Sequence, residues 1–309
     1  MKGREMDDPI NIVSDEELEK FVAPPQGYKL PSGYLSYSQI DMYLRCAKQY
    51  EFRYIQDEKR PPGVSLAMGK SAHHALEITH HHIVDHQAPA SDEILASSFS
   101  DGWDEAAKQV PVESWQEDGV DQGLMKDVGL NLVRQYNARM APEVKPSVKD
   151  GVRGIEKKFE VTIAEVPVLG FIDLIDTNHT GAFSPEEQAM LLAKGVKPPD
   201  AFGTAIADFK VKAKSMSAAE ANGSLQMTLY SYAENIPIVR YDQLLKTKKP
   251  GLKRIASMRS IQDHLWMKEV IVGVAKGISA GIFPACNPIE WCCNPKWCGF
   301  WNICRGKKR

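Results

Sequence analysis

The apolar positions of this chain change their spacing near residue 150. Before it they recur every three or four residues, which predicts amphipathic helices. After it they alternate, which predicts strands. The first predicted helix holds Ile40, Tyr43, Leu44 and Ala47, with Ser38 and Asp41 at its cap and Cys46 inside it. Two further helices are predicted from Leu66 to His86 and from Met125 to Tyr136. The N-terminal half is therefore expected to be mainly helical.

The second half is expected to contain a sheet. Its predicted elements are a strand with Ile155, Phe159, Val161 and Ile163 on one face, strands at Pro167–Asp176 and Thr204–Lys210, a helix capped by Ser217 and Glu220 that holds Gln226 to Ala233, a basic hairpin at Lys246–Arg254 and a helix at Ser260–Ala280. The proline-containing segment 176–203 is interpreted as an insertion. The hairpin either contacts phosphates or is a solvated turn.

Composition excludes some classes of protein. The chain has 309 residues, of which 43% are hydrophobic and 25% charged, as in a soluble globular protein. The net charge of -2 argues against a generally basic nucleic-acid coat, although positive charge can still be confined to one groove. No apolar run is long enough for a membrane helix, and the charged N-terminus lacks the apolar region of a secretory signal. We expect residues 1–33 to be a flexible tail and the protein to be cytoplasmic.

Two carboxylates lie within predicted apolar strands. An isolated charge in a core is costly, so Asp173 and Asp208 need a cation or a partner. Carboxylates on adjacent strands would form an oxygen site suited to Mg²⁺. Lys210 lies two residues after Asp208 and therefore on the same strand face, where it can orient a water molecule. The alternative is a structural ion pair at a strand end.

The order of motifs extends this interpretation. Gly69 and His73, then Glu156, then GFIDLID at 170–176, ADFK at 207–210, and Gln226 with Tyr230 follow one another. This series resembles the RecB-type nucleases of the PD-(D/E)XK superfamily and their iron–sulfur relatives, which are the AddB-type, CRISPR-adaptation and phage exonucleases. The resemblance covers the chain from about Leu35 to Cys304.

The resemblance implies a fold and a site. The fold is an α/β PD-(D/E)XK core over residues 34–285, with a mixed central sheet flanked by helices and a helical N-terminal part. The implied catalytic residues are Lys210, Asp208, Asp173, Gln226 and Tyr230, and the implied ligands of Mg²⁺ or Mn²⁺ are His73, Asp173, Asp208 and the carbonyl of Phe209. His74 is the alternative to His73, and Glu156 faces either the cleft or solvent. His80 to His86 are expected on a polar helix face.

Five of the six cysteines lie in the last 24 residues. In a reducing cytosol, such density favours metal binding over disulfides. The resemblance implies a [4Fe-4S] cluster bound by Cys46, Cys293, Cys298 and Cys304, so that the tail 286–309 packs against Cys46. Cys292 is the alternative to Cys293, Cys286 is expected to be spare, and zinc is the alternative metal because it also accepts four thiolates.

The predicted function is metal-dependent hydrolysis of DNA phosphodiester bonds by an exonuclease, in recombination, repair or phage DNA processing. The expected partners are DNA, single-stranded or with free ends, and a helicase or recombinase. One alternative is a non-catalytic module that binds DNA or a helicase. Another is a zinc-dependent hydrolase on the histidine-rich helix, where His73, Glu77, His80 and His81 can share a face.

Overall fold

The computed structural model describes residues 27–119, 121–179, 203–247 and 249–306. The first 26 residues of the predicted tail and most of the predicted insertion lie outside these ranges. None of the described helices is long and apolar enough to cross a membrane.

Helices dominate the N-terminal part, as the apolar spacing predicts. They are α1 (Tyr37–Arg45), α2 (Ala47–Tyr50), a π-helical turn (Glu51–Ile55), α3 (Val64–His86), α4 (Asp92–Lys108), α5 (Val112–Asp118), α6 (Gln122–Arg139) and a 3₁₀ turn (Ala141–Glu143).

The start and end of α1 differ from the prediction. Its N-cap is Ser36, whose hydroxyl accepts a hydrogen bond from the Gln39 N–H, so the cap is not formed by Ser38 and Asp41. Cys46 does not lie inside the helix. Its backbone is extended, with φ of -164° and ψ of 101°, and it separates α1 from α2. This break ends one helix and begins the next at the cysteine.

The second half contains the strands. The described elements are β1 (Val148–Lys149), β2 (Val152–Arg153), β3 (Ile155–Ile163), β4 (Val166–Asp176), β5 (Ala205–Lys212), α7 (Ala218–Asn222), α8 (Leu225–Glu234), β6 (Ile238–Leu245), β7 (Gly251–Met258), α9 (Ile261–Ser279) and α10 (Trp301–Cys304). Five of the strands form a mixed sheet of order β3-β4-β5-β6-β7. Strands β5 and β6 are parallel, and the other neighbours in the large sheet are antiparallel.

Helices cover both faces of this sheet. One core cluster joins it to α1, α8 and α9, and the other joins it to α3, α4 and α6. This arrangement confirms the predicted α/β class with a mixed sheet flanked by helices.

The helix after β5 is shorter than predicted. Ser217 and Glu220 do form a capping box, but it caps α7 alone. A second helix, α8, begins after Ser224, whose hydroxyl accepts from the Met227 N–H, and this helix carries Gln226. The sequence therefore contains two N-caps where one was predicted.

A network of buried charges joins β4 to β6. Arg240 is almost fully buried and its Nη1 lies 2.6 Å from Asp176 Oδ2. Its Nε lies 3.3 Å from Asp242 Oδ2, and Asp242 also accepts from Arg254 Nε at 2.7 Å. Removing one member of such a network leaves its partners buried without a counter-charge.

We expect Arg240→Ala to destabilise the fold by about 3–5 kcal/mol, because Asp176 would lose its cation and Asp242 one of two. Urea unfolding followed by circular dichroism measures this. Arg134→Ala is the matched control, since Arg134 pairs with Asp92 at the surface, and it should change stability little. Equal midpoints for Arg240→Ala and the wild type would contradict the importance of the network.

Candidate active site

Strand register places two carboxylates side by side. In the antiparallel β4–β5 pair, Leu174 lies opposite Ala207, so Asp173 and Asp208 are the next opposed residues. Regular pairing ends there. The Phe209 N–H donates instead to Asp173 Oδ2 at 2.8 Å. Both carboxylates are buried, as the apolar strands predict.

The predicted histidine lies beside this pair. His73 in α3 places Nδ1 at 3.5 Å from Asp173 Oδ2 and Nε2 at 2.9 Å from the Phe209 carbonyl oxygen. His74 is exposed and its Nδ1 lies 3.8 Å from Glu77. The geometry thus brings His73, rather than its neighbour, to the carboxylates.

Glu156 faces the same cleft rather than bulk solvent. Ligand atoms of His73, Glu156 and Asp173 all lie within 4.8 Å of one another, and among the described residues no other group of three or more His, Cys, Asp and Glu side chains meets that limit. Glu156 has a φ of +43°, which is uncommon within a strand for a residue other than glycine.

The alternation of the sheet reverses at this level. Ile155 and its partner Leu174 pack against α3, α4 and α6, whereas Ile172 and Phe159 pack on the other face. The prediction that Ile155 shares a face with Phe159 is therefore wrong. A strand that kept its regular dihedrals would have kept the two on one side.

Asp208 is held from two directions. Lys210 Nζ lies 2.6 Å from Asp208 Oδ2, as expected for residues on one strand face. Gln226 Nε2 donates to Asp208 Oδ1 and to the Tyr230 hydroxyl, both at 2.9 Å. Tyr241, which sequence reasoning missed, lies opposite Asp208 in β6, and its ring centroid is 5.8 Å from Lys210 Nζ. Its apolar strand context carries no signal of this position.

The carboxylates gathered in the cleft repel one another. Burial, followed by Asp208, raises the pKa of Asp173 to about 6. Burial, followed by Asp173, raises the pKa of Glu156 to about 7. Burial alone would lower the pKa of Lys210, but Asp208 outweighs it and raises that pKa above its usual range. The site therefore holds more negative charge than its own cations balance.

The histidine-rich part of α3 does not form a second metal site. His80 is fully buried, its Nε2 is 3.0 Å from the Tyr136 hydroxyl, and its ring stacks on Phe209. The prediction of a polar face is wrong at this position. Burial lowers the pKa of His80 to about 3, so it is neutral. The set His73, Glu77, His80 and His81 does not converge in the described structure.

The six cysteines line one small cavity between α2 and the C-terminal segment. They differ in their contacts. The Sγ atoms of Cys286 and Cys292 lie 3.4 Å apart, and the Cys292 thiol donates to the Arg45 carbonyl at 3.7 Å. Cys46 Sγ instead accepts from the Cys286 N–H at 3.4 Å. Cys298 Sγ accepts from Gln49 Nε2, also at 3.4 Å.

Four of these cysteines affect one another's thiol pKa values. Burial raises the pKa of the Cys298 thiol; an N–H of Phe300 lowers it, and Cys46, Cys304 and Cys293 raise it further. Burial also raises the pKa of Cys304, with additional contributions from Cys46 and Cys293. The four cysteines implied by the resemblance are thus neighbours.

Comparison with known proteins identifies a nuclease family. A family model described as the PD-(D/E)XK nuclease superfamily matches residues 34–184. A protein from Eubacterium rectale, described as a presumed exonuclease, is 10% identical with a TM-score of 0.48, over 88% of this chain and 92% of that one. The structure designated SSO0001 is 10% identical with a TM-score of 0.37, over 96% and 95%. Because both TM-scores are below 0.5, these two structures add no support to the family match. No curated protein matches the chain.

Asp173→Asn should stabilise the metal-free protein at pH 7.5. The pKa of Asp173 is higher in the folded state, so ionisation destabilises that state once pH rises above the unfolded value of about 4. We expect a gain of roughly 1–3 kcal/mol at pH 7.5 that shrinks as pH falls from 6 to 4. Thermal melting in EDTA measures it.

Asp101→Asn is the control, since Asp101 is exposed on α4 and distant in sequence from the site. It should behave like the wild type at both pH values. A less stable Asp173→Asn at pH 7.5 would show that the carboxylates are not in electrostatic conflict.

Proposed function

We propose that this chain, which belongs to the PD-(D/E)XK nuclease superfamily, is a metal-dependent DNA exonuclease. One observation carries the proposal. His73, Asp173 and Glu156 converge within 4.8 Å, beside the ion pair of Asp208 with Lys210. Acidic and imidazole groups can bind a divalent cation that activates water and polarises a phosphate, and a lysine beside them can position that water.

The donor set suits a divalent cation. His73, Asp173, Asp208 and the carbonyl of Phe209 would hold Mg²⁺ or Mn²⁺, with Glu156 beside them. A histidine nitrogen among oxygen ligands makes Mn²⁺ more acceptable than it is in an all-oxygen site. The raised pKa values of Asp173 and Glu156 are the electrostatic conflict that a bound cation would relieve. When bound, the ion promotes deprotonation of water and neutralises charge on the phosphate.

The surrounding side chains have distinct tasks in this proposal. Lys210 positions the attacking water, since its ammonium group stands beside Asp208. Gln226 orients Asp208 by donating to its Oδ1, and it is itself bonded to Tyr230. Burial raises the pKa of Tyr230 above its usual range, so the phenol stays neutral and adds no charge to the site.

The restriction to DNA ends rests on the resemblance to exonucleases, as do a role in recombination, repair or phage DNA processing and a helicase or recombinase partner. A cytoplasmic location remains an expectation from the sequence. A non-catalytic binding module is less well supported, since it has no need for the contact between Lys210 and Asp208. A zinc hydrolase on the histidine-rich helix is disfavoured because His80 is committed to Tyr136.

Lys210→Ala should lower DNA cleavage by roughly 10²–10⁴-fold, because the water would lose its positioning group. The measurement is cleavage of end-labelled single- and double-stranded DNA with Mg²⁺ or Mn²⁺. Single-stranded and double-stranded substrates in the same assay also reveal strand preference.

Lys158→Ala serves as the control for this variant, since Lys158 lies in β3 and pairs with Glu160 at the surface. It should cleave like the wild type. Circular dichroism should show both variants folded. Unchanged turnover by Lys210→Ala would remove this residue from the mechanism.

We also propose that Cys46, Cys293, Cys298 and Cys304 bind a [4Fe-4S] cluster. Their mutual proximity supports this set. Cys46 and Cys298 accept hydrogen bonds from N–H donors, as thiolate ligands do. Cys292 Sγ instead contacts the Arg45 carbonyl and Cys286 Sγ, which both lie outside the proposed set, and this favours Cys293 as the ligand.

Zinc is the alternative centre for the same four cysteines, because it also accepts four thiolates. Because hydrolysis transfers no electrons, the role of either centre would be structural.

Cys46→Ser should bleach the visible absorption, lower the iron content and destabilise the protein by a few kcal/mol. In the wild type, the cluster would join Cys46 to the C-terminal cysteines and so close a loop of nearly the whole nuclease domain. The entropy of the unfolded chain that such a link removes grows with loop length. The measurements are iron, acid-labile sulfide and thermal melting on anaerobically purified protein.

Cys286→Ser and Cys292→Ser are the matched controls, and both should keep the cluster. Stoichiometric zinc without sulfide in the wild type would replace the cluster with a zinc clip. A full iron content in Cys46→Ser would exclude Cys46 as a ligand.

A further inference from the structure

The cleft beside the carboxylates continues as a groove along α3. Its volume is about 430 Å³, and one wall carries Leu66, Gly69 and Lys70 before reaching His73 and Glu156. These positions recur at helical spacing, so they form one stripe. At about 1.5 Å per residue, the stripe from Leu66 to Glu77 is roughly 16 Å long. The groove is much longer than one phosphate group.

Packing against the described residues does not explain Gly69 in this wall. It lies inside a helix of 23 residues, where glycine is unfavourable because it retains the most backbone freedom when unfolded. A Cβ built at Gly69 would meet no described atom within 4 Å. Gly102 in α4 differs, since a Cβ there would lie 3.3 Å from the Ser71 Cα, and close helix packing accounts for it.

The other groups in the groove suit a sugar–phosphate backbone. Lys70 is exposed and forms no ion pair with any described residue. Lys246 from the β6–β7 hairpin reaches Ser65 Oγ at 3.1 Å, which places a second cation at the far end. Leu66 is 51% exposed and offers an apolar surface to a sugar. Cations therefore lie away from the carboxylates, where phosphates need partners and the metal would not supply them.

We propose that the groove holds the backbone of the DNA strand being cleaved, and that Gly69 is the point where this strand lies closest to α3. The inference rests on the proposed nuclease function. Without a Cβ at position 69, the strand can lie against the helix backbone while the scissile phosphate reaches His73 and Asp173. Gly69 is thus a positioning residue. Glycine destabilises the helix at this position but lets the substrate bind close to it.

The test compares two glycines in helix interiors. Gly69→Ala and Gly273→Ala should each raise Tm by about 1–3 °C, because Gly273 in α9, like Gly69, has open space at its Cβ. Only Gly69→Ala should lower kcat/KM on a single-stranded oligonucleotide, by roughly ten- to a hundredfold. Hydrolysis of a small chromogenic phosphodiester should fall much less than DNA cleavage in Gly69→Ala, since that substrate does not fill the groove, and should stay unchanged in Gly273→Ala.

The outcomes separate the two claims. A wild type that cleaves neither substrate with Mg²⁺ or Mn²⁺ would overturn the nuclease function and this inference with it. A wild type that cleaves DNA while Gly69→Ala matches its kcat/KM would overturn the groove alone. A lower Tm for Gly69→Ala with equal losses on both substrates would do the same, because glycine would then serve the helix rather than the strand.

Discussion

The hydrogen bond from the Phe209 N–H to Asp173 Oδ2 replaces a backbone bond between β4 and β5. Regular pairing of these strands spans three residue pairs and stops just before Asp173. A buried N–H left without a partner would cost about 1–3 kcal/mol, so the carboxylate stabilises the sheet at the point where the strands diverge. The Phe209 carbonyl is in turn bonded to His73. Both backbone groups of one buried residue therefore set the geometry of the site.

Two buried charge clusters in this sheet differ in their balance. In the network around Arg240, two arginines face Asp176 and Asp242, and burial there is compensated within the protein. In the cleft, three carboxylates face Lys210 and His73. The surplus negative charge has no described counterpart, and a fold that tolerates it gives up stability in a place suited to a cation. The contrast indicates a functional rather than a structural carboxylate cluster.

Apolar spacing was sufficient to predict β3, β4 and β5, because their apolar residues are buried against helices. It failed at Glu156, where a positive φ reverses the faces and brings a carboxylate into the cleft. It also gave no hint of Tyr241, whose place depends on the parallel pairing of β5 with β6. The motif order indicated His73 from the sequence. Only the position of α3 against the sheet shows that His73, and not His74, reaches the carboxylates. Such relations are tertiary, so local spacing does not contain them.

Helix α1 connects the two proposed centres of the molecule. At one end, Tyr37 lies near enough to Lys210 and Asp208 for both to affect the pKa of its phenol, which burial raises most of all. At the other end, about 13 Å away along the helix, stands Cys46 in its extended conformation. A cluster bound at Cys46 would fix the far end of a helix whose first residue lies near the ion pair of the cleft. A centre that takes no part in hydrolysis would then still hold the geometry that hydrolysis requires.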